Sequence, residues 1–381
     1  MPFIGNKPTA IPLSADDLEN NIISTAKIQD NAVTAAKYIE PIPFRNIIIN
    51  GDMSIAQRGT STSSVSTTQY PSLDRFQMYT QTAGSAVFTV SQDTDVPSGQ
   101  GFAKSHKIDV TTALGTYGAS NFTILRQRIE GQMLGYLKKG TANAESVTLS
   151  FWVKSNKTGT YIAELYDNDN SRQISKSYTI DSASTWEKKT LTFAGDTSGS
   201  LTLDNSVAID LDFYLSAGSN YTSGTLNTSW NSATTANRAV GQVNLADSTA
   251  NEWFITGVQL EAGTTASDFE FLPHDVTLNK CLRYYFTDAL YSSGGNTGLA
   301  EMPICTSNAA FKHIFKHFPV TMRAAPTISN IVIKSDVATS SSDLTQKSGD
   351  YATTMTVDIY GRNDDSTAPG YYHGAEFSAE L

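Results

Sequence analysis

The sequence has few charged residues and no basic run. Charged side chains make up 17% of the 381 residues, and the formal net charge is −10. Proteins that bind nucleic acid cluster lysine and arginine to neutralise phosphates, so the composition argues against a nucleic-acid partner. With so few charges, the polar surface has to come from Ser, Thr, Asn, Gln and Gly. Such a composition is typical of β-sheet proteins with many turns.

Cysteine and long apolar stretches are also scarce. The two cysteines, Cys281 and Cys305, lie in apolar contexts and are too few for a disulfide framework. No apolar stretch approaches the ~20 residues that span a bilayer, and the N-terminus lacks the basic region and apolar run of a secretory signal. We therefore expect synthesis in a cytoplasm, no membrane insertion, and release by a route other than an export signal.

Residues 1–43 differ from the rest because they carry a ten-residue repeat. IISTAKI (22–28) is echoed by AVTAAKY (32–38). At about 3.6 residues per turn, this period rotates the apolar stripe of a helix by roughly 80° per repeat, and the segment is too polar for a core of its own. We predict an extended arm that packs on other chains, with a disordered tail as the alternative. The arm would make its contacts through Ile23, Ile28, Val33 and Tyr38.

Residues 44–272 read as one short strand after another. In VTLSFWV (147–153) and AIDLDFYLSAG (208–218) every second residue is apolar, which predicts strands with one buried face. We interpret the opposite face of the second segment, with Asp210 and Asp212, as solvated. The fold class predicted is all-β: an antiparallel jelly-roll sandwich at 44–272, a smaller C-terminal β domain at 273–381, and the arm at 1–43 before them.

Catalytic and metal motifs are weak. HIFKH (313–317) has the spacing of a metalloprotease pair but Ile314 in place of the glutamate. DNDNS (167–171) lacks the glycine and glutamate of an EF-hand loop and reads as a hairpin tip, with a non-EF calcium ion at the sandwich edge as the alternative. No GxSxG, phosphate loop or CxxC is present. We expect a protein that is not an enzyme and has no cofactor.

Polar residues interrupt the apolar stretch FRNIIINGDMSIAQRG (44–59). Asn-Gly is a strong turn signal, and arginines paired with carboxylates can tie a strand to its neighbours. We predict a structural hydrogen-bond network, with a catalytic site as the less favoured alternative. Its members would be Asn50, Asp52, Arg58, Asp74 and Arg75.

An ordered series of motifs across 44–381 resembles the carbohydrate-binding-module-like jelly roll of bacteriophage tail fibres and other virion proteins. Phe76 departs from relatives that often carry Trp at that position. The motifs are NIIINGDMSIAQRGT (46–60), YPSLDRF (70–76), LRQRIEG (125–131), VTLSFWVKS (147–155), WFITGVQLEAG (253–263), DFEFLP (268–273), KCLRYYF (280–286), FPVTMRAAPT (318–327) and AEFSAEL (375–381).

The resemblance implies a homotrimeric tail fibre in the virion that binds a host-surface glycan and attaches to other virion proteins through 1–43. A structural adaptor, collar or capsid fibre that binds only virion proteins is the alternative, and a polysaccharide depolymerase is less favoured. Sugar rings stack on aromatic faces that have polar neighbours. Residues of that kind lie on a polar strand face and in Gly/Ser-rich stretches: Trp152, Tyr221, Trp230, Tyr291, Tyr371, Tyr372 and His373.

Deletion of residues 1–43 tests the role of the arm. We expect the truncated protein to keep the thermal transition of the sandwich and to be lost from assembled particles, because the arm contributes docking contacts and no core. Circular dichroism and immunoblots of purified particles measure the two effects. Normal incorporation of the truncated protein would contradict the predicted attachment role.

Overall fold

Alternating apolar residues form two antiparallel sheets that pack face to face. The computed structural model describes residues 44–81, 86–287, 300–302, 312–334, 347–350, 352–361 and 370–381. In chain order the strands are β1 (Ser61–Val65), β2 (Gln77–Gln81), β3 (Val87–Asp93), β4 (Ser105–Thr112), β5 (Phe122–Glu130), β6 (Val147–Ser155), β7 (Gly159–Asp167), β8 (Arg172–Ile180), β9 (Glu187–Phe193), β10 (Val207–Ala217), β11 (Asn231–Ser232), β12 (Glu252–Ala262), β13 (Tyr285–Thr287), β14 (Ala300–Met302), β15 (Lys312–His317), β16 (Thr327–Lys334), β17 (Lys347–Asp350), β18 (Thr356–Gly361) and β19 (Gly370–Ser378).

The two large sheets confirm the predicted all-β jelly-roll sandwich. The first sheet has the order β1-β3-β4-β12-β6-β9 and the second β11-β8-β7-β10-β5-β2, with antiparallel pairing throughout. The apolar faces predicted for β6 and β10 meet in the core, where the rings of Phe151 and Phe213 are 5.1 Å apart. The two sheets shield these apolar residues from water. Burial of apolar surface is the main driving force for folding.

The C-terminal part forms two smaller sheets. In one, β19 pairs with β13, β14 and β16, and in the other β18 pairs with β15 and β17. A helix, α2 (His274–Leu282), precedes them, and a short helix, α1 (Ser219–Thr222), follows β10. Residues 44–381 form one compact unit. The division into domains at 44–272 and 273–381 therefore stays a prediction, and the arm at 1–43 lies outside the described residues.

The stretch 44–59 is not a strand of the sheet. It runs beside β12, where the amide of Ile47 donates to Leu260 O at 2.9 Å and the amide of Val258 donates to Gly51 O at 2.9 Å. A Cβ at position 51 would lie 2.1 Å from Val258 O. Glycine is required there because the two backbones approach so closely, in addition to its role in the Asn-Gly turn.

A histidine is buried without a partner between the sheets. His106 on β4 is fully buried, and neither ring nitrogen has a hydrogen-bond partner among the described residues. Its ring meets Phe76 edge-on at 5.9 Å. Burial lowers the pKa of His106 from 6.5 to about 3, because the low-dielectric interior disfavours the imidazolium.

Substitution of His106 by leucine should change how stability depends on pH. Between pH 6.5 and about 3 the unfolded chain binds a proton that the folded chain does not, so the wild type loses about 1.4 kcal/mol per pH unit on acidification. H106L does not have this loss, so its free energy of unfolding relative to that of the wild type should rise by about 2 to 3 kcal/mol between pH 7 and 4.5. Urea unfolding at both pH values measures this, and parallel pH profiles would refute the assignment.

Candidate functional site

Charged side chains cross the outer face of the second sheet in one line. Cross-strand partners lie on the same face of an antiparallel sheet. Successive pairing joins one residue from each of five strands. We name this line the paired row; its members are Ser175, Glu164, Asp212, Arg126 and Gln77.

The carboxylates of the paired row are matched by arginines. Arg126 donates from Nε and Nη2 to the two oxygens of Asp212 at 2.6 and 2.7 Å, and its Nη1 is 3.2 Å from Asp210 Oδ2. Arg238 donates from Nε to both oxygens of Glu164 at 3.1 and 3.0 Å. Two-point contacts of this kind are among the strong pairings available to a buried charge.

Arg238 comes from a segment that covers half of this face. Residues 218–243, named the covering segment, are anchored at β5 by Gly218 N to Asn121 O and at β7 by Val243 N to Thr160 O. Beneath them lies a small apolar cluster that the segment shields from water. Its members are Phe122, Ile124, Ile162, Tyr214 and Ala239, with Tyr79, Tyr221 and Leu226 at its edge.

A second line of side chains lies one step along the same strands. Register pairing places four residues side by side, about 7 Å from the paired row by the rise of two strand residues. Two of the four, Tyr166 and Arg128, are partly exposed, whereas Asp210 and Gln173 are buried. We name this line the open row; its members are Gln173, Tyr166, Asp210 and Arg128.

The open row contains polar atoms that the protein leaves without partners. In the part of the chain that the structure describes, Gln173 Oε1, Asp210 Oδ1 and Arg128 Nε are buried atoms with no hydrogen bond. Arg128 Nε is 3.7 Å from Asp210 Oδ1, which is too far for a hydrogen bond. Because unpaired buried polar groups cost free energy, their accumulation in one line marks a candidate ligand site.

Burial shifts two carboxyl groups of this face, those of Glu164 and Asp210, toward the neutral form. Burial raises the pKa of Glu164, with Arg238 acting in the opposite direction. Burial also raises the pKa of Asp210; Arg126 lowers it and the charge on Asp212 raises it again. Both shifts follow from removing a carboxylate from water beside another carboxylate, and such perturbed groups concentrate at functional sites.

The prediction that Asp210 and Asp212 lie on a solvated face is wrong. They are 2% and 0% exposed. The sequence predicted correctly that they point away from the core, but the neighbouring strand β5 and the covering segment supply arginines that allow both carboxylates to be buried. A strand pattern reports which face a residue occupies and not what covers that face.

The predicted aromatic residues do not form one site. Trp152 lies on the first sheet, opposite Lys188 and Thr256, and is half-buried on its outer face. Tyr221 packs its ring 5.2 Å from Phe122 under the covering segment. Trp230 donates from Nε1 to Ala194 O at 2.7 Å and borders an apolar cavity of about 40 Å³, too small for a sugar ring.

The C-terminal aromatic residues lie beyond what the structure describes in side-chain detail. Tyr371 and Tyr372 pair as backbone with Lys334 and Ile333 on β16, and His373 follows on β19. The side chains of these three residues, and all of Tyr291, lie outside the described part. The same holds for the arm residues Ile23, Ile28, Val33 and Tyr38. For all of them the predicted roles stay predictions.

Two of the residues predicted as a structural network, Asn50 and Asp74, lie in a shared set of contacts with Gln57. Asn50 donates from Nδ2 to Ile55 O and Asp74 O at 2.9 and 3.0 Å. The amide of Gln57 donates to Asp74 Oδ1 at 2.9 Å. Burial raises the pKa of Asp74, and the hydrogen bonds from Gln57 lower it. Asp52 lies apart and accepts a hydrogen bond from Ser54 Oγ at 3.1 Å.

The two arginines of the predicted network bind Glu380. Arg58 donates to Glu380 Oε1 at 3.2 Å, and Arg75 contacts Oε2. The guanidinium of Arg58 stacks on Tyr285 at 3.6 Å and that of Arg75 on Tyr284 at 3.5 Å. These contacts connect the sandwich to the residues just after the last strand, β19, across more than 300 residues of sequence.

The hairpin tip at 167–171 is occupied by a lysine ammonium. Lys139 Nζ contacts Asp167, and it lies 3.0 Å from Asp196 Oδ2 and 2.8 Å from Gly199 O. Arg172 adds a two-point contact to Asp196 at 2.7 and 2.9 Å. Two carboxylates and a carbonyl are ligands that a calcium ion would use, but here they surround a side-chain cation. Among the described residues no group of three or more His, Cys, Asp or Glu is arranged to hold a metal.

Sequence reasoning missed the arginines and Tyr166 of this face. A usable signal exists, since AELYD (163–167), LRQRIE (125–130) and AIDLDFY (208–214) all carry charged or tyrosine residues at alternate positions. Each segment alone fits a solvated strand face. Only the pairing order β7-β10-β5 brings the three polar faces together.

Comparisons with known proteins give similar folds at low identity. No protein-family model matches the sequence, and no curated protein matches it. The solved structures that resemble it include the enzymatically active domain of tailspike protein 4 of bacteriophage CBA120, which is 16% identical over 58% of this chain and 22% of its own length, with a TM-score of 0.31.

Others are a putative sugar-binding protein from Bacteroides thetaiotaomicron and the carbohydrate-binding module TmCBM61 in complex with β-1,4-galactotriose. The first is 12% identical over 57% of this chain and all of its own length, with a TM-score of 0.30. The second is 10% identical over 57% of this chain and 99% of its own length, with a TM-score of 0.27. At these values the likenesses carry no conclusion about function.

Replacement of Asp212 by asparagine tests the paired row. The change keeps the shape but removes the charge that Arg126 binds at two points, so we expect a loss of about 3 to 5 kcal/mol in the free energy of unfolding. The matched control is Asp181→Asn, whose carboxylate is 69% exposed in its pair with Lys189 and should cost less than about 1 kcal/mol. Equal losses in urea unfolding would contradict buried pairing.

Proposed function

We propose that this protein binds a glycan along the open row and serves as a bacteriophage tail fibre that adsorbs to the host surface. The observation that carries the glycan proposal is the line of polar atoms without partners at Gln173, Asp210 and Arg128 beside a half-buried tyrosine. A ligand rich in hydroxyl groups donates and accepts hydrogen bonds at once, which is what a mixed line of amide, carboxyl and guanidinium groups requires.

The layout of the face also suits an extended ligand. Tyr166 and Arg128 lie on either side of Asp210, on strands two apart in the sheet, so they are about 10 Å from each other by strand spacing. Arg238 lies over the Tyr166 ring at 4.6 Å and fixes its position. A rigid aromatic ring with polar groups at fixed distances along the sheet suits a chain of sugar units.

The virion part of the proposal comes from the sequence resemblance across 44–381 and from the repeat in 1–43. In this proposal the arm joins the fibre to other virion proteins and supports a homotrimer, and the sandwich presents the open row to the cell. The open row favours this role over an adaptor that binds only virion proteins.

Binding of the full-length protein to a bacterial polysaccharide array tests the glycan site. We expect Tyr166→Ala to weaken binding at least about tenfold, because it removes the aromatic surface, whereas Tyr166→Phe should keep most of it. The matched control is Tyr136→Ala, since Tyr136 is 51% exposed outside this face and its loss should leave binding unchanged.

Two results would refute the proposal. One is a protein that binds no polysaccharide on the array and does not reduce adsorption of the particles that carry it, which would favour the adaptor. The other is binding that Tyr136→Ala and Tyr166→Ala reduce equally, which would place the contact elsewhere.

A further inference from the structure

Among Arg126, Arg128 and Arg238 on the outer face, Arg128 makes the weakest contact with a carboxylate. Arg126 and Arg238 each make two-point contacts with buried carboxylates. Arg128 makes no hydrogen bond with its guanidinium in the described part of the chain, and its approach to a carboxylate is the 3.7 Å separation between its Nε and Asp210 Oδ1.

The free part of Arg128 faces outward. Its side chain is 27% exposed although its Nε is buried, so the exposure belongs to the outer part of the side chain. The backbone at Arg128 is anchored, because Arg75 Nη2 donates to the backbone oxygen of Arg128 at 2.7 Å. The sheet therefore holds a guanidinium fork with unused donors at one end of the open row.

We propose that the glycan is acidic and that Arg128 recognises a sugar carboxylate, as found in uronic acids. This inference rests on the proposed function and names its ligand class. A guanidinium presents parallel N–H donors that match the two oxygens of a carboxylate, with shorter and stronger bonds than a hydroxyl would make. The ring of Tyr166 then packs against a sugar ring about two strand spacings from Arg128.

The charges around the site support selective and not general attraction of anions. The charged groups of the two rows and of the covering segment balance: Glu164, Asp210 and Asp212 against Arg126, Arg128 and Arg238. The whole protein carries a net charge of −10, which repels polyanions at long range. A carboxylate would therefore bind because of short-range pairing at Arg128, with Tyr166 positioning the rest of the glycan.

The test compares acidic polysaccharides with the same chains after chemical reduction of their carboxylates to alcohols. The probes are polygalacturonate, alginate and hyaluronan, each in both forms, with dextran as a neutral polymer, measured on the full-length protein. At least one acidic probe should bind at least about tenfold more tightly than its reduced form, the factor expected for one charge-assisted two-point contact.

Variants of the full-length protein assign the effect to Arg128. Arg128→Gln should abolish the preference for the acidic form, and Arg128→Lys, which keeps the charge without the fork, should retain part of it. The matched control is Lys188→Gln, which removes one positive charge from an exposed position on the first sheet and should leave the preference unchanged.

The outcomes separate this inference from the proposed function. If polysaccharides bind through Tyr166 but bind equally well after carboxyl reduction, the acidic-ligand inference fails and the glycan-binding function stands. An acidic preference that Lys188→Gln lowers as much as Arg128→Gln also overturns the role of Arg128. If no polymer binds, on this panel or on the bacterial array, both proposals fail together.

Discussion

Charge pairing on the outer face of the second sheet is the constraint on which the rest of that half of the molecule depends. Glu164 and Asp212 are fully buried, and a buried carboxylate without a partner would cost several kcal/mol. The covering segment can close over β7, β10 and β5 because it brings Arg238 to Glu164 at the same time. Burial of the apolar cluster around Tyr214 and Phe122 is thus coupled to an ion pair.

A second coupling of the same kind holds the C-terminal strand to the sandwich. Arg58 and Arg75 share Glu380 and stack on Tyr285 and Tyr284. Stacking keeps the apolar faces of the guanidiniums out of water while their edges remain available for hydrogen bonds. The pairing makes the last residues of the chain part of the same folded unit as residues 44–81.

The candidate site lies at the edge of the covering segment, where Tyr166 and Arg128 are partly exposed, while Gln173 donates from Nε2 to Thr234 O of that segment. The carboxylates of the paired row are bound by Arg126 and Arg238, whereas in the open row the separation of Arg128 from Asp210 leaves a donor and an acceptor unused. Structural pairing and ligand recognition therefore use the same residue types on the same strands. The difference between them is whether the partner comes from the protein or from outside it.

The sequence by itself determined the all-β class, the inward faces of β6 and β10, the hairpin tip at 167–171 and the polar character of the stretch 44–59, because strand alternation and turn residues are local properties. It did not determine the candidate site. Tyr166, Asp210 and Arg128 are far apart in sequence, and each of their strands looks like one with a solvated face. Only the tertiary structure decided that these faces adjoin, that Asp210 and Asp212 are buried, and that Arg128 keeps unused donors. The physical reason is that strand order and the covering segment set the environment of a charge, and neither can be read from the alternation of a single strand.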